Sequence, residues 1–222
     1  VSLSEKLKFE NVTGNNNISI GDSSGYDNIS GFNNIFIGKN SNATVGTLSN
    51  SISLGYGASV SSSNTIQLGN NNITNLNCQV SLTVPSDKRI KNNIKSENLG
   101  LNFINSLNPV SYKKIKPSKY PKKIRDSRYD LDDNDPNKLV DTSEDNNIYL
   151  GLLAQDLEKS LQKLGYDDKS ILSDIVKKDK NEKYALKYTA LIMPLINSVK
   201  ELTNINNELK KRIEFLEETI KK

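Results

Sequence analysis

The chain has 222 residues, only 35% of them hydrophobic, and its formal net charge is +4. It has no histidine and a single cysteine, Cys78, which excludes a Ser-His-Asp triad, a histidine-ligated zinc site and an intrachain disulfide. An enzyme built from this sequence has to move protons with lysine or carboxylate side chains. The small net charge does not favour nucleic acid as a partner, and no apolar run approaches the roughly 20 residues that span a bilayer.

Charge and asparagine are divided unevenly along the chain. Only 7 of the 56 charged residues precede residue 86, whereas 16 of the 31 asparagines and 9 of the 12 glycines lie in residues 1–85. A domain boundary near residues 78–86 follows from this change in composition. Because the chain starts at Val1 and not at methionine, we expect a longer polypeptide upstream.

The first part of the chain repeats a short unit made of asparagine, a three-residue Ile-x-Ile or Ile-x-Leu segment and glycine. The units end at Gly21, Gly38, Gly55 and Gly69, in steps of 17, 17 and 14 residues. Alternation places both aliphatic side chains of a segment on one face of a strand, which predicts a stacked β-solenoid or β-roll. One unit buries too few aliphatic side chains to stand alone, so stacked units or partner chains have to close the core. Asn- and Ser-rich disorder is the alternative.

These repeats resemble, over residues 11–72, the Asn- and Gly-rich repeats of trimeric adhesin heads and viral fibre shafts. The resemblance implies a rigid spacer or a receptor-facing shaft.

A serine and a lysine stand five residues apart just after the boundary, in the run Ser86-Asp87-Lys88-Arg89-Ile90-Lys91. Serine needs an activating base, and a lysine that is desolvated or near other cations can act as one where histidine is absent. Ser86 and Lys91 can face each other across a turn or the start of a helix. A Ser-Asp pair before a basic run is also typical of a helix cap, so the spacing leaves both interpretations open.

Residues 96–188 predict a small α+β domain. The predicted elements are a helix over 96–107, paired strands over 110–112 and 148–153, a helix over 154–164, and a hairpin that joins 171–176 to 184–188. Between the paired strands lies a charged stretch, residues 113–147. Its basic first half contains Tyr120 and Tyr129, a pattern that can bind nucleic acid, but its acidic second half nearly cancels the charge. We therefore expect a solvated, partly disordered excursion, and its Asp-rich run lacks the glycine and the closing glutamate of an EF-hand loop.

Two interleaved sets of seven-residue spacings mark the last part of the chain as a coiled coil. The predicted oligomerisation residues are Leu195, Val199, Leu202, Asn206, Leu209, Ile213, Leu216 and Ile220. Asn206 at a core position costs stability and fixes register, as in a parallel homo-oligomer. A helix packed on its own domain has a similar stripe, and that alternative stays open.

The order of these elements resembles the endosialidase-type intramolecular chaperone domain that ends phage tailspikes and fibres. The blocks that carry the resemblance are the Ser86 motif, N-P-V-S-Y from Asn108, Y-L-G-L-L-A-Q-D-L from Tyr149, and Y-A-L-K-Y-T-A-L-I-M-P-L-I from Tyr184. The resemblance covers residues 86–222. It implies a homotrimer that registers the upstream shaft of the same chain as its folding client and then releases itself.

By this resemblance, the cut bond joins Pro85 to Ser86, with Ser86 as nucleophile and Lys91 as general base in a Ser-Lys dyad that acts once and in cis. Asp87 and Arg89 also match the motif and are expected to orient the site. Pro85 has a fixed φ that alters the approach to the scissile carbonyl, so we expect slow cutting. No metal and no cofactor are predicted.

Taken together, these expectations describe a mixed, trimeric fold. They place a β-repeat shaft in residues 1–85, an α+β chaperone and autoprotease domain in 86–188, and a long coiled-coil helix in 189–222. The implied location is a virion fibre, with the chaperone released in the host cell, no membrane, and a host receptor or glycan bound through an upstream part. The alternatives are a non-cleaving trimerisation module of a structural fibre or adhesin, and the trimerising autoprotease domain of a membrane-released transcription regulator.

Overall fold

A computed structural model of the chain describes residues 11–135, 138–141, 145–167, 170–179 and 181–221. They belong to two compact units, one from Val1–Val80 and Lys114–Asn146, the other from Ser81–Lys113 and Asn147–Lys222. The start of the predicted shaft, residues 1–10, and residues 136–137 of the Asp-rich run lie outside the described residues.

The first unit is built from parallel strands, and each of the four repeats contributes one strand to its main sheet. Its strands are β1 (Ile18–Ile20), β2 (Ile35–Ile37), β3 (Asn42–Ala43), β4 (Ile52–Leu54), β5 (Ser59–Val60) and β6 (Ile66–Leu68). β1, β2, β4 and β6 form one parallel sheet in that order, with Ile18, Ile35, Ile52 and Ile66 in register. β3 and β5 pair separately, also in parallel. The predicted strand is therefore present in each of the four repeats, and disorder is the wrong interpretation of residues 11–72.

The strands of the large sheet turn their central residue inward and their aliphatic residues outward. The small apolar core contains Phe36, Ala43, Leu48 and Val60. Ser53, the central residue of β4, is fully buried, whereas Ile18 is 49% and Ile66 64% exposed. The two aliphatic side chains of each unit therefore share one face, as expected, and stacking within one chain does not bury that face. A three-residue strand has two side chains on one face and one on the other, and here the single central side chain points inward.

Two asparagine side chains, half-buried Asn17 and fully buried Asn34, make the same hydrogen bonds in successive repeats. Asn17 Nδ2 donates to Gly31 O at 2.8 Å, and Asn34 N donates to Asn17 Oδ1 at 2.9 Å. Seventeen residues later, Asn34 Nδ2 donates to Leu48 O at 2.7 Å, and Ser51 N donates to Asn34 Oδ1 at 3.0 Å. Leaving a buried polar group unpaired costs about 1–3 kcal/mol, so this ladder favours one stacking register where apolar side chains are few.

The second unit is a small α+β domain that continues into a long helix. Its elements are α1 (Leu101–Ser106), β7 (Val110–Tyr112), β8 (Tyr149–Gly151), α2 (Ala154–Lys163), α3 (Leu172–Ile175), β9 (Val176–Lys178), β10 (Tyr184–Leu186) and α4 (Ile192–Ile220). β7 pairs with β8 and β9 with β10, both antiparallel. The buried core contains Leu99, Phe103, Leu157, Leu161, Leu172, Ile175, Val176 and Leu191.

The strand predicted over residues 171–176 is wrong for most of its length. Leu172–Ile175 form the short helix α3, and the strand begins only at Val176. Leu172 and Ile175 are both 1% exposed. Residues three apart share a face of a helix but lie on opposite faces of a strand, so burial of both side chains in one core favours the helical turn.

Helix α4 is held to the domain near its start by contacts with α1 and the segment before it. Leu101 N donates to Glu201 Oε2 at 3.1 Å, and Asn197 Nδ2 donates to Glu97 O at 2.8 Å. A side chain at Gly100 would displace the Glu201 carboxylate, because a Cβ there would lie 1.9 Å from Glu201 Oε1. Beyond Glu201, residues 202–221 are exposed. The domain therefore holds the first turns of α4, and residues 202–221 of the helix are exposed to solvent in the single chain.

One buried carboxylate joins α2 to the β9–β10 hairpin. Glu158 is 7% exposed, and its carboxylate lies 2.6 Å from Lys178 Nζ and accepts a 2.7 Å hydrogen bond from Tyr184 OH. Burial raises the pKa of Glu158, but the hydrogen bonds from Lys178 and Tyr184 together outweigh it and hold the pKa below its ordinary value of 4.5. Because the folded pKa is depressed, this stabilisation is present above the unfolded pKa and is lost as the pH falls below about 4.5.

We therefore expect Glu158→Gln to lower the free energy of unfolding of the second unit at pH 7 by about 1–3 kcal/mol and to flatten its acid dependence. Urea unfolding of wild type and variant at pH 7 and at about pH 3.5, at one protein concentration, measures both effects. Asp156→Asn is the matched control, since Asp156 lies exposed on the same helix. An equal loss of stability on acidification in wild type and Glu158→Gln would contradict the assignment.

Candidate active site

Ser86 and Lys91 come together across a 3₁₀ turn formed by Lys88–Ile90. Asp87 begins the turn, because its side chain accepts a 2.8 Å hydrogen bond from Arg89 N. Lys91 N donates to Lys88 O at 3.2 Å and ends the turn. The chain reversal places Lys91 Nζ 2.7 Å from Ser86 Oγ, to which it donates. Asp87 thus caps the turn, and the Ser86 hydroxyl accepts a hydrogen bond from Lys91 beside it.

Asp87 and Arg89 form a bidentate ion pair beside this contact. Arg89 Nη2 lies 2.6 Å from Asp87 Oδ2, and Arg89 Nε lies 3.1 Å from both carboxylate oxygens. The side-chain hydrogen bond from Arg89 lowers the pKa of Asp87, and the same bond raises the pKa of Arg89. The Asp87–Arg89 ion pair stabilises the turn. Because the Asp87 carboxylate is paired with Arg89, Lys91 is paired with the Ser86 hydroxyl instead.

Ser86 and Lys91 lie in an exposed part of the chain. Residues 81–98, which include Pro85 and the bond to Ser86, are all exposed in the single chain. A lysine acts as a base when its amine is desolvated or close to other cations. Within the turn, the neighbouring cations are Lys88 and Arg89, and the second unit does not bury the amine of Lys91.

The predicted oligomerisation residues lie along α4 and face away from the chain's own core. All eight are exposed, from Leu195 at 47% to Ile220 at 83%. The alternative in which the helix packs on its own domain applies only to its first turns, where Pro194 and Ser198 are buried. The apolar stripe beyond them has no partner among the described residues of this chain.

A contact that sequence reasoning missed lies in the charged stretch. The described residues of Lys114–Asn146, hereafter the arm, pack within the first unit and do not form the expected solvated excursion. Tyr129 and Leu139 of the arm are 9% and 3% exposed, and Arg128 donates to the main-chain carbonyls of Asn40 and Gly57. Backbone carbonyls leave no trace in the residue pattern, so no sequence signal pointed to this contact.

Among the residues that the structure describes, no group of three or more Asp, Glu, Cys or His side chains is placed to hold a metal ion. None of the helices in the described ranges is long and apolar enough to cross a membrane.

The second unit is thus a mixed α+β domain with a Ser-Lys contact near its start and an exposed apolar stripe on its last helix. Residues 86–166 match the family model described as chaperone of endosialidase. The match begins at Ser86 and includes Lys91, the arm, and the elements α1, β7, β8 and α2. This match supports an endosialidase-type intramolecular chaperone domain at residues 86–166, as the resemblance implied, and with it a chaperone role. Comparison with curated proteins and with solved structures finds no match.

Proposed function

We propose that residues 86–222 are an intramolecular chaperone that trimerises, brings three copies of the repeat shaft into register and then cuts the chain once between Pro85 and Ser86. The family match supports the chaperone role. The observation that carries the cutting step is the 2.7 Å contact between Ser86 Oγ and Lys91 Nζ, located at the first residue of the matched family domain.

Two apolar surfaces support a homotrimer. One is the exposed stripe of α4 from Leu195 to Ile220, and the other is the outward aliphatic face of β1, β2, β4 and β6. Each is an apolar surface that repeats along the chain and that rotationally related copies of the chain can bury. In this arrangement the stacked repeats are a solenoid-like shaft whose outer aliphatic face becomes the interior of the trimer. The low hydrophobic content of a single chain follows, because three chains share each core.

The cutting step uses only the dyad and water. Ser86 Oγ attacks the carbonyl carbon of Pro85 while the neutral amine of Lys91 takes the hydroxyl proton. The bond from the Pro85 carbonyl to the Ser86 nitrogen breaks, that nitrogen receives the proton from Lys91, and the acyl group remains as an ester on Ser86 Oγ. One water molecule then hydrolyses the ester. The products are a carboxylate at Pro85 and a free amine and hydroxyl at Ser86.

Assembly precedes cutting in this account. The dyad is exposed in the single chain, and packing of neighbouring copies would desolvate Lys91 and so favour the neutral amine that acts as a base. A chain that cut itself before assembly would lose its link to the trimerisation helix. Once the shaft is assembled, cutting removes that helix, so the shaft cannot return to its unassembled state by the same path.

The client is the upstream shaft of the same chain, and the proposed location is a virion fibre whose chaperone is released in the host cell. Any host receptor or glycan would bind an upstream part. The non-cleaving module of a fibre or adhesin remains the first rival. The transcription-regulator rival is less well supported, because residues 11–72 contain a single basic residue, Lys39, to meet phosphates.

Replacement of the nucleophile tests the proposal. We expect wild type to give two fragments on a denaturing gel, and Ser86→Ala to give one full-length band while native mass measurement still finds a trimer. Ser81→Ala, five residues upstream in the same exposed segment, is the matched control and should be cut as wild type is. Full-length bands for both wild type and Ser86→Ala would remove the protease and leave the non-cleaving trimerisation module.

A further inference from the structure

Residues 75–84, hereafter the linker segment, alternate strictly between polar and apolar side chains. The segment is followed by Pro85 and then by Ser86 of the candidate dyad. Its apolar residues are Leu76, Cys78, Val80, Leu82 and Val84. Alternation places all five on one face of a β-strand, whereas an α-helix would spread them around all its sides. The linker segment therefore has the sequence of a strand with one apolar face.

The single chain gives the linker segment no partner. None of its main-chain groups forms a hydrogen bond with a residue in the described ranges, and it belongs to neither a helix nor a strand. All of its residues are exposed, Leu82 by 87% and Val84 by 79%. Extended chain with unpaired main-chain groups and an apolar face is a template for association with another chain.

The charge distribution favours further copies of the same chain as that partner. No charged residue lies between Lys39 and Asp87. Identical segments that meet at a symmetry axis bring their like charges together, so a charged segment would oppose its own association. The neutral linker segment does not. It also lacks the charges by which a partner of opposite charge would recognise it.

The preceding strand of the repeats points to the same partner. Ile66 and Leu68 of β6 are exposed on the outward aliphatic face that the proposed trimer buries. The linker segment begins seven residues after Leu68. A short connection of this kind raises the effective concentration of three linker segments at the end of a trimeric shaft. Three strands with an apolar face are also the smallest number expected to be stable by themselves.

We propose that the linker segments of three copies pack together as parallel strands around the trimer axis, with their apolar faces turned toward it. The inference rests on the proposed function, which supplies the trimer. Pro85 ends each strand, because it has no main-chain donor and a fixed φ. The cut between Pro85 and Ser86 leaves the whole segment on the shaft. The three strands therefore close the end of the shaft and hold its chains together once the chaperone and its helix are released.

Cys78 gives a direct test, because it is the only cysteine of the chain and belongs to the apolar face. The Ser86→Ala chain is assembled, its oligomeric state is checked by native mass measurement, and its thiols are oxidised by dioxygen with copper phenanthroline. Two cysteines form a disulfide when their Cα atoms lie about 4.4–6.8 Å apart. We expect a two-chain band on a non-reducing denaturing gel, since one disulfide joins two of the three Cys78 residues.

A thiol moved by one residue is the matched control. In the Cys78→Ser background, Val80→Cys returns the thiol to the apolar face and Gln79→Cys places it on the polar face, and both positions are exposed in the single chain. We expect cross-linking at least about tenfold faster for Val80→Cys than for Gln79→Cys, because alternate side chains of a strand face opposite ways. Equal rates at the two positions would overturn the proposal.

An engineered cut tests closure of the shaft end. A recognition sequence for a site-specific protease is inserted directly after Pro85 in the Ser86→Ala chain, and the assembled chain is cut there. We expect the shaft fragment to stay trimeric, and the combined change Val80→Ser and Leu82→Ser to make it dissociate at least about tenfold faster, because two apolar side chains per chain are lost from the axis. Sedimentation of the fragment over time measures the rate.

The polar face of the same segment provides the control for this second test. Ser81→Asn combined with Thr83→Ser changes two polar positions and should leave the dissociation rate as it was. Equal rates for this variant and for Val80→Ser with Leu82→Ser, or an assembled trimer without cross-linking at Cys78, would overturn the proposal. A trimer that never cuts itself at Ser86 leaves both results standing, whereas a monomer before the cut would overturn the trimer of the proposed function as well.

Discussion

Lys91→Met is expected to slow cutting between Pro85 and Ser86 by about 10²- to 10⁴-fold, the range by which a positioned general base accelerates a reaction. The turn at Lys88–Ile90 places Lys91 Nζ 2.7 Å from Ser86 Oγ. Methionine keeps most of the side-chain length but cannot accept the serine proton. Lys91→Arg should be nearly as slow, because a guanidinium does not give up its proton near neutral pH.

Lys95→Met is the control for this prediction. Lys95 is an exposed lysine four residues after Lys91 and outside the turn, so its replacement removes one positive charge without changing the turn or the dyad. The cut fraction is followed by denaturing gel after cell-free synthesis is stopped, so that only post-synthetic cutting is counted. If Lys91→Met cuts as fast as Lys95→Met, lysine is not the base and the dyad assignment is wrong.

Leu209→Asp is expected to abolish the trimer and, with it, the cutting. Leu209 lies in the middle of the exposed stripe of α4 and is 51% exposed in the single chain. Large-to-small replacements of buried leucine cost about 2–5 kcal/mol each, and a homotrimer carries the change three times, so the loss reaches about 6–15 kcal/mol per trimer before the cost of burying charge. The exposed aliphatic faces of the repeats then lose their common register, and we expect aggregation of the first unit.

Lys211→Asp introduces the same side chain two residues further along α4, on the outer face of the predicted coiled coil, and should leave the trimer intact. Analytical ultracentrifugation of the Ser86→Ala forms of both variants gives their oligomeric states without interference from cutting. A trimer for Leu209→Asp, or equal dissociation of both variants, would show that the stripe of α4 is not the assembly surface.

The candidate dyad could be predicted from sequence because its geometry is local. Ser86 and Lys91 are brought together by a single turn, and the turn follows from the preference of Asp87 to cap the main-chain nitrogen of Arg89. What sequence could not indicate is the environment of the pair. Exposure in the single chain depends on the tertiary position of residues 81–98, and no residue pattern encodes it.

The repeats were predictable in their spacing but not in the face that they bury. Ile-x-Ile followed by glycine marks each strand, yet alternation alone does not say whether the pair of aliphatic residues or the central residue faces the stack. Phe36 and Ser53 are buried, so the central residue of each of these strands faces the stack. The hydrogen bonds of Asn17 and Asn34 hold the stack in the same arrangement. The surplus of asparagine is thus explained in part by buried hydrogen bonds and not by turns alone.

Packing of the arm on the repeats could not be predicted from sequence, because its charges suggest a solvated segment and its partners are main-chain groups. Mixed charge between residues 113 and 147 is typical of a solvated segment. The two arginines of this stretch form ion pairs within the arm, Arg125 with Asp130 and Arg128 with Asp126. The partners on the repeats are the carbonyl groups of Asn40 and Gly57, which any residue type supplies.

Cutting at a single bond after assembly is measured by the intact masses of purified, assembled wild type, with Ser86→Ala measured in parallel. We expect two masses in wild type, those of residues 1–85 and of residues 86–222 with Ser86 as a free N-terminus, and a single full-length mass in the variant. A full-length wild-type chain in an assembled trimer, or a new N-terminus at any other residue, would contradict it.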